Sequence, residues 1–241
     1  SPLEDSKDLG KLKIPDPDHT PRMKDRLDAV RTLASRNKGQ YSILGWVEGP
    51  AAEAANLRGV MNFLFDTMDD RKFCHELMNL YIDVALEFAK AQLQAGADTI
   101  GIGDAIVSQI SPKVYAELVF PHQQRLVKGI KESGGLARLH ICGDISQHLP
   151  YMKELDINNL DLDWPVDLAY ARSVMTDQVI LVANPNPVED IQRGNPGAIK
   201  EQIRRLYEVA GNPFMIGAGC EIPLGTPEEN LKALCTPLPY K

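Results

Sequence analysis

One histidine and two cysteines have the residue types and the spacing that could hold a metal ion. His140 and Cys142 are separated by one residue, so in an extended segment their side chains point to the same side. Cys220 lies much later in the chain, at the end of another apolar run. One imidazole and two thiolates are typical zinc ligands, and three protein ligands leave a fourth position open, as in catalytic zinc sites. The sequence therefore predicts a zinc site formed by His140, Cys142 and Cys220.

The alternative for any buried cysteine is that it packs as a small apolar side chain. The chain has four cysteines, and two of them follow this simpler expectation. Cys74 falls in the first turn of a predicted long helix and Cys235 in the last predicted helix, away from any strand end. We expect both to pack or to lie at the surface. His122 and His148 also fall in segments with a helical pattern, and we do not expect them to bind a metal.

The elements that must position these residues alternate along the chain between strands and helices. Most of the candidate strands are continuous apolar runs, which is typical of strands buried on both faces of a parallel sheet. The alternation indicates an α/β fold, and six β/α units over residues 41–235 favour a (β/α) barrel over a doubly wound sheet. The turn after the first strand is not the glycine-rich phosphate loop expected of a doubly wound sheet. The six candidate strands cover residues 41–47, 98–103, 136–141, 158–163, 178–183 and 213–218.

Polar residues follow four of these strands at the end where parallel barrels carry their active groups. Asp104 and Asp163 are predicted to be catalytic, because a carboxylate there could complete metal coordination or form a hydrogen bond to a ligand. Glu48 and Asn184 are predicted to bind substrate. For each of the four residues, helix capping or loop solvation is the alternative role.

Composition limits the classes of function. The 241 residues carry a net charge of −7 without a basic stripe, so nucleic acid is not an expected partner. No apolar run approaches the ~20 residues that a membrane span requires, so a cytoplasmic protein is expected. A single domain is expected over residues 1–241, with an irregular lead-in and a helix in residues 1–40. Because the chain starts at Ser1 rather than Met, residues upstream are expected to be missing.

Several motifs resemble a known family. Residues 139–143 (LHICG) and 218–223 (AGCEIP) resemble the zinc motifs of methylcobamide:coenzyme M methyltransferases, in the uroporphyrinogen decarboxylase-like superfamily. The resemblance runs from about residue 41 to the end. It implies a (β/α)8 TIM barrel of the uroporphyrinogen decarboxylase type, in which the six strands match the last six. The N-terminal helices and the first two strands would then be missing from this chain, as a separate chain, a cleaved segment or an absent one. Further matches are 45–50 (GWVEGP), 101–105 (GIGDA), 160–164 (LDLDW) and 225–230 (GTPEEN).

The resemblance also implies an activity. A methyl group would move between a methylated corrinoid (cobalamin), carried by a partner protein, and a small thiol or similar acceptor activated by Zn2+. His140, Cys142 and Cys220 would hold the zinc. Three alternatives remain: a methyltransferase that loads the corrinoid from a methylated substrate, a uroporphyrinogen decarboxylase-like enzyme, and a non-catalytic subunit. Decarboxylation of porphyrinogens needs no metal, so cysteines at 142 and 220 argue against it.

Overall fold

The structure is a computed structural model that describes residues 2–37 and 39–237. The chain divides into two compact units, one formed by Ser1–Leu139 with Glu154–Ile157 and the other by His140–Lys153 with Asn158–Lys241. The single domain expected over residues 1–241 stays a prediction, and residues 1, 38 and 238–241 lie outside the described part of the chain.

Six strands in the described residues confirm the predicted set. Hydrogen bonding between strands follows the chain order from β1 to β6. β1 pairs in parallel with β2, with Leu44 opposite Thr99. β5 pairs in parallel with both β4 and β6. The strands are β1 Leu44–Glu48, β2 Thr99–Gly103, β3 Leu136–Ile141, β4 Asn159–Leu162, β5 Ile180–Ala183 and β6 Phe214–Ile216.

Helices separate the strands, as the alternation in the sequence predicts. Several begin with a favourable residue: Asp70, Asp167 and Asn195 each accept a backbone N–H with the side chain at the first turn. The α-helices are α1 Pro21–Asn37, α2 Pro50–Arg58, α3 Val60–Asp69, α4 Arg71–Gln94, α5 Pro112–Val114, α6 Phe120–Glu132, α7 Leu149–Met152, α8 Leu168–Met175, α9 Pro196–Ala210 and α10 Glu228–Leu234. Tyr115–Val119 and Pro187–Gln192 are π-helical, and Ser6–Lys11, Ala105–Gln109 and Lys153–Leu155 are 3-10 helices.

Burial along the strands shows which faces carry the core. β2 is buried at all five positions, as expected for a strand covered on both faces. β3 instead alternates: Leu139 and Ile141 are buried, whereas Arg138 and His140 are only half-buried. Residues 136–141 therefore form a strand with one more accessible face, and Arg138 and His140 lie on that face.

The long helix α4 buries one side, including Phe73 and Leu77, and its Cys74 is fully buried. This confirms that Cys74 packs in the core. Cys235, at the end of α10, is exposed. Among the described residues, no helix combines the length and the apolar character needed to cross a membrane.

Candidate metal centre

The end of β3 and the residue after it bring two side chains that can bind a metal to the same side. His140 is the next-to-last residue of the strand, and Cys142 is the first residue beyond it. Both are half-buried, while the intervening Ile141 is buried on the opposite face. Gly143 then turns the chain with a φ of +91°, a conformation that glycine adopts without strain.

Cys220 reaches the same place from a loop rather than from a strand end. The sequence pattern predicts a last strand over residues 213–218 with Cys220 at its close, whereas β6 ends at Ile216, four residues before Cys220. The segment between them still runs alongside the chain that follows β5, because Gly219 N donates to Pro185 O at 2.9 Å. A side chain at position 219 would lie 2.7 Å from Trp164 N, so glycine is required for this close approach.

The three donor atoms form a compact cluster inside one unit. His140 Nε2 lies 3.1 Å from Cys142 Sγ and 3.7 Å from Cys220 Sγ, and the two sulfurs are 2.8 Å apart. All lie within 4.8 Å of one another. Tetrahedral zinc, with bonds of about 2.3 Å to sulfur and 2.0 Å to nitrogen, places its ligands about 3.5–3.8 Å apart. The residues therefore fit a zinc ion after the sulfurs separate by about 1 Å.

Electrostatics at the sulfurs also fit a cation. Burial raises the pKa of the Cys142 thiol to about 12, and the neighbouring Cys220 sulfur and the Asp163 carboxylate add to the rise. With no cation present, the Cys142 sulfur stays protonated at neutral pH. A divalent cation reverses that balance, because it binds the thiolates and releases their protons.

Asp163 lies beside this cluster but faces the backbone. The residue is buried, and its carboxylate accepts hydrogen bonds from Gly143 N at 2.6 Å and from Trp164 N at 2.7 Å. Both of its oxygens are therefore engaged by loops that surround the cluster. Its catalytic role stays a prediction.

Asn184 supports the loop that follows β4. Its buried amide donates to Asp163 O at 3.2 Å and to Val166 O at 2.9 Å. These bonds fix the chain immediately after Asp163. The substrate-binding role predicted for Asn184 stays a prediction.

The other two sequence-predicted residues lie together in the first unit. Asp104 is fully buried and accepts hydrogen bonds from Ala52 N at 2.6 Å and from Gln123 Nε2 at 2.7 Å. Burial raises the pKa of Asp104 to about 7 despite these two donors. Glu48 is half-buried and accepts a hydrogen bond from Trp46 Nε1 at 3.2 Å. The catalytic role of Asp104 and the substrate-binding role of Glu48 stay predictions.

Sequence reasoning missed the backbone groups that shape the metal centre. Gly143 and Gly219 flank the two cysteines, and Trp164 N contacts both Asp163 and the space beside Gly219. The only available signal was a glycine next to each cysteine in the sequence. The sequence pattern could not predict that one carboxylate, that of Asp163, lies near both glycines.

Comparison with known proteins places the chain in a family. The model of the uroporphyrinogen decarboxylase (URO-D) family matches residues 1–237. The chain belongs to this family, which confirms the predicted fold class, α/β of the uroporphyrinogen decarboxylase type. A solved structure described as a methyltransferase from Methanosarcina mazei has the same fold, with a TM-score of 0.87 at 24% sequence identity over 95% of this chain and 67% of that one.

Curated relatives carry more specific names. A methylated-thiol–coenzyme M methyltransferase of Methanosarcina mazei is 29% identical over 220 residues, covering 88% of this chain and 58% of the relative. The methylcobamide:CoM methyltransferase MtbA of Methanosarcina acetivorans is 27% identical over 210 residues, covering 86% of this chain and 61% of the relative. The chain thus spans about three-fifths of the length of these two relatives. They confirm the resemblance to methylcobamide:coenzyme M methyltransferases.

Proposed function

We propose that this chain carries the zinc site of a corrinoid-dependent methyltransferase that moves a methyl group between a methylated corrinoid protein and a small thiol. The observation that carries the proposal is the cluster of His140 Nε2 and the sulfurs of Cys142 and Cys220, all within 4.8 Å of one another. The names of the relatives, which refer to methylated thiols, methylcobamide and coenzyme M, support the same chemistry.

His140, Cys142 and Cys220 would hold the metal. Zinc bound there would lower the pKa of an acceptor thiol in the open fourth position, so that the sulfur is a thiolate at neutral pH. The two cysteine thiolates would keep the site electron-rich, which preserves the nucleophilic character of the acceptor. In the transfer, the methyl group would pass from the corrinoid substrate to the acceptor sulfur, the electron pair of the broken bond would stay with the corrinoid, and the thiol proton would pass to solvent.

The proposed partners follow from this reaction. A separate protein would carry the corrinoid, since the relatives are named for a methylcobamide donor. A small thiol of the coenzyme M type would be the acceptor. Glu48 and Asn184 are proposed to contribute to substrate binding, and Asp104 to the catalytic chemistry, as the ends of β1, β5 and β2 suggest.

A methyl-transfer assay tests the proposal. Zinc-loaded chain is mixed with methylcobalamin and coenzyme M, and demethylation of the cobalamin is followed by visible absorbance. We expect turnover for wild type, a fall of at least about 100-fold for Cys220→Ser, and no change for the exposed control Cys235→Ser. Equal rates for Cys220→Ser and wild type would contradict the proposal. Methyl transfer to free cobalamin from a methylated substrate, without transfer to the thiol, would favour the corrinoid-loading alternative.

A further inference from the structure

We propose that Asp163 is a positioning residue that sets the spacing between Cys142 and Cys220 through the backbone of the loops that carry them. This assignment differs from that of a metal ligand or a proton carrier. It rests on the proposed metal site, and it names the residue that holds the two sulfurs in place.

The carboxylate of Asp163 is directed at two backbone N–H groups. One oxygen, Oδ2, accepts from Gly143 N at 2.6 Å, and the other, Oδ1, accepts from Trp164 N at 2.7 Å. Gly143 is the residue after Cys142, and its φ of +91° is a backbone conformation that few other residues adopt. The carboxylate therefore fixes the chain immediately beyond one of the two sulfurs.

Asp163 also lies close to the loop that carries Cys220. A Cβ atom at Gly219 would lie 3.0 Å from Asp163 Oδ1 and 2.7 Å from Trp164 N. Gly219 is the residue before Cys220, and it comes this close only because it has no side chain. Asp163 thus lies between the residue that follows one sulfur and the residue that precedes the other.

Asp163 is itself held in place by hydrogen bonds to its backbone. Its side chain is buried, and its carbonyl oxygen accepts hydrogen bonds from Asn184 Nδ2 at 3.2 Å and from Val166 N at 3.1 Å. A carboxylate that is fixed at its own backbone can set the position of the loops that bind to it. Second-layer groups of this kind orient metal ligands, and their loss typically costs about 10–100-fold in metal affinity.

The alternative role for Asp163 is that of a metal ligand. Within the described residues, the group of donors that lie within 4.8 Å of one another contains His140, Cys142 and Cys220 but not Asp163. Both Asp163 oxygens are already directed at backbone N–H groups. Among the described residues, the donor cluster therefore consists of three side chains, and Asp163 is not one of them.

The test measures the spacing of the sulfurs without a metal. Metal-free chain is equilibrated with mixtures of reduced and oxidised glutathione, and the Cys142–Cys220 disulfide is quantified by mass spectrometry. Oxidised glutathione takes up the two electrons and the two thiol hydrogens, giving two reduced molecules. In Asp163→Asn the amide keeps one acceptor oxygen but turns an N–H against the second backbone donor. We expect the equilibrium constant for the disulfide to fall at least about tenfold relative to wild type.

A matched control separates positioning from general loss of structure. Asp167 lies in the same loop and also accepts a backbone N–H, from Tyr170 at 2.7 Å, but it caps α8 instead of bracing the cysteine loops. Asp167→Asn is expected to leave the disulfide equilibrium and the zinc affinity at the wild-type values. Asp163→Asn is expected to weaken zinc binding about 10–100-fold in competition with a chromophoric chelator.

The outcomes decide the proposal in each case. A disulfide equilibrium for Asp163→Asn equal to that of wild type would overturn it, whatever the effect on zinc. If Asp163→Asn does not fold, Gly219→Ala takes its place, because the added methyl displaces the Cys220 loop while the carboxylate stays intact. An unchanged disulfide equilibrium in that variant would overturn the proposal equally. If wild type binds no zinc, the proposed function fails, whereas the glutathione measurement still decides the role of Asp163.

Discussion

Burial acts on individual acids in this chain with two different consequences. At Cys142 it raises the pKa of the thiol to about 12, which makes the sulfur dependent on a cation for its thiolate form. At Asp104 it raises the pKa of the carboxyl to about 7, although Ala52 N and Gln123 Nε2 donate to its oxygens. The raised pKa keeps the Cys142 thiol neutral at ordinary pH, whereas the raised pKa of Asp104 makes stability depend on pH below about 7.

Asp104 leads to a prediction about that dependence. Its pKa in the folded chain, about 7, lies above the ordinary value of 3.8, so between these values the folded state holds a proton that the unfolded state has released. The contribution of Asp104 to stability is thus full below about pH 4 and is lost as the pH rises to about 7. We expect Asp104→Asn to flatten this decline by about 2–4 kcal/mol, measured by urea unfolding at several pH values. Parallel pH profiles for the variant and wild type would contradict the assignment.

At the scale of elements, the sequence pattern predicted the strands well and the loops poorly. The bounds of β3 agree at both ends, because glycines lie close to both ends of the strand, at Gly135 and Gly143, and mark its limits in the sequence. Cys220 lies four residues beyond β6, since the chain after the strand continues beside the segment that follows β5. Which backbone N–H groups meet the Asp163 carboxylate depends on contacts between distant loops, and no local pattern contains that information.

Arg172 of α8 holds several elements of the second unit together. Its guanidinium donates to the carbonyl oxygens of Ala210 at 2.7 Å, Pro213 at 2.6 Å and Val179 at 3.1 Å, and also to that of Thr176. These carbonyls lie at the ends of α8 and α9 and at the entrances to β5 and β6. One side chain thus satisfies acceptors that the helix and strand ends leave open.

Replacement of Arg172 tests its contribution to stability. We expect Arg172→Met to lower the free energy of unfolding by about 3 kcal/mol, because the carbonyls lose charged donors while the apolar stem is kept. The measurement is chemical denaturation at neutral pH. Zinc bound per folded chain should not change, since none of these carbonyls belongs to the donor cluster. A loss below about 0.5 kcal/mol would show that water replaces the guanidinium without cost.

At the scale of the whole molecule, each unit contains its own group of polar residues. His140, Cys142 and Cys220 all belong to the second unit, as does Asp163. Because the three donors come from segments far apart in the chain, a bound metal would link the end of β3 to the loop after β6. Metal binding is therefore expected to stabilise the fold as well as to supply chemistry.

Metal removal tests this coupling. Zinc at about 100 times its dissociation constant adds about 2.7 kcal/mol to stability, which corresponds to a rise in Tm of about 5–10 °C for a chain of this size. We expect a strong chelator to lower the Tm of wild type by that amount and to leave Cys142→Ser unaffected. The control Cys235→Ser should respond as wild type does. An equal response of Cys142→Ser and wild type would place the stabilising metal elsewhere.

The most direct test of the metal centre is the zinc content of the purified chain, measured by elemental analysis for wild type, Cys142→Ser, Cys220→Ser and Cys235→Ser. The account predicts about one zinc per chain in wild type and in Cys235→Ser, and close to none in the other two variants, because each loses one of three protein ligands. A wild-type chain without zinc, or zinc retained in both Cys142→Ser and Cys220→Ser, would contradict it.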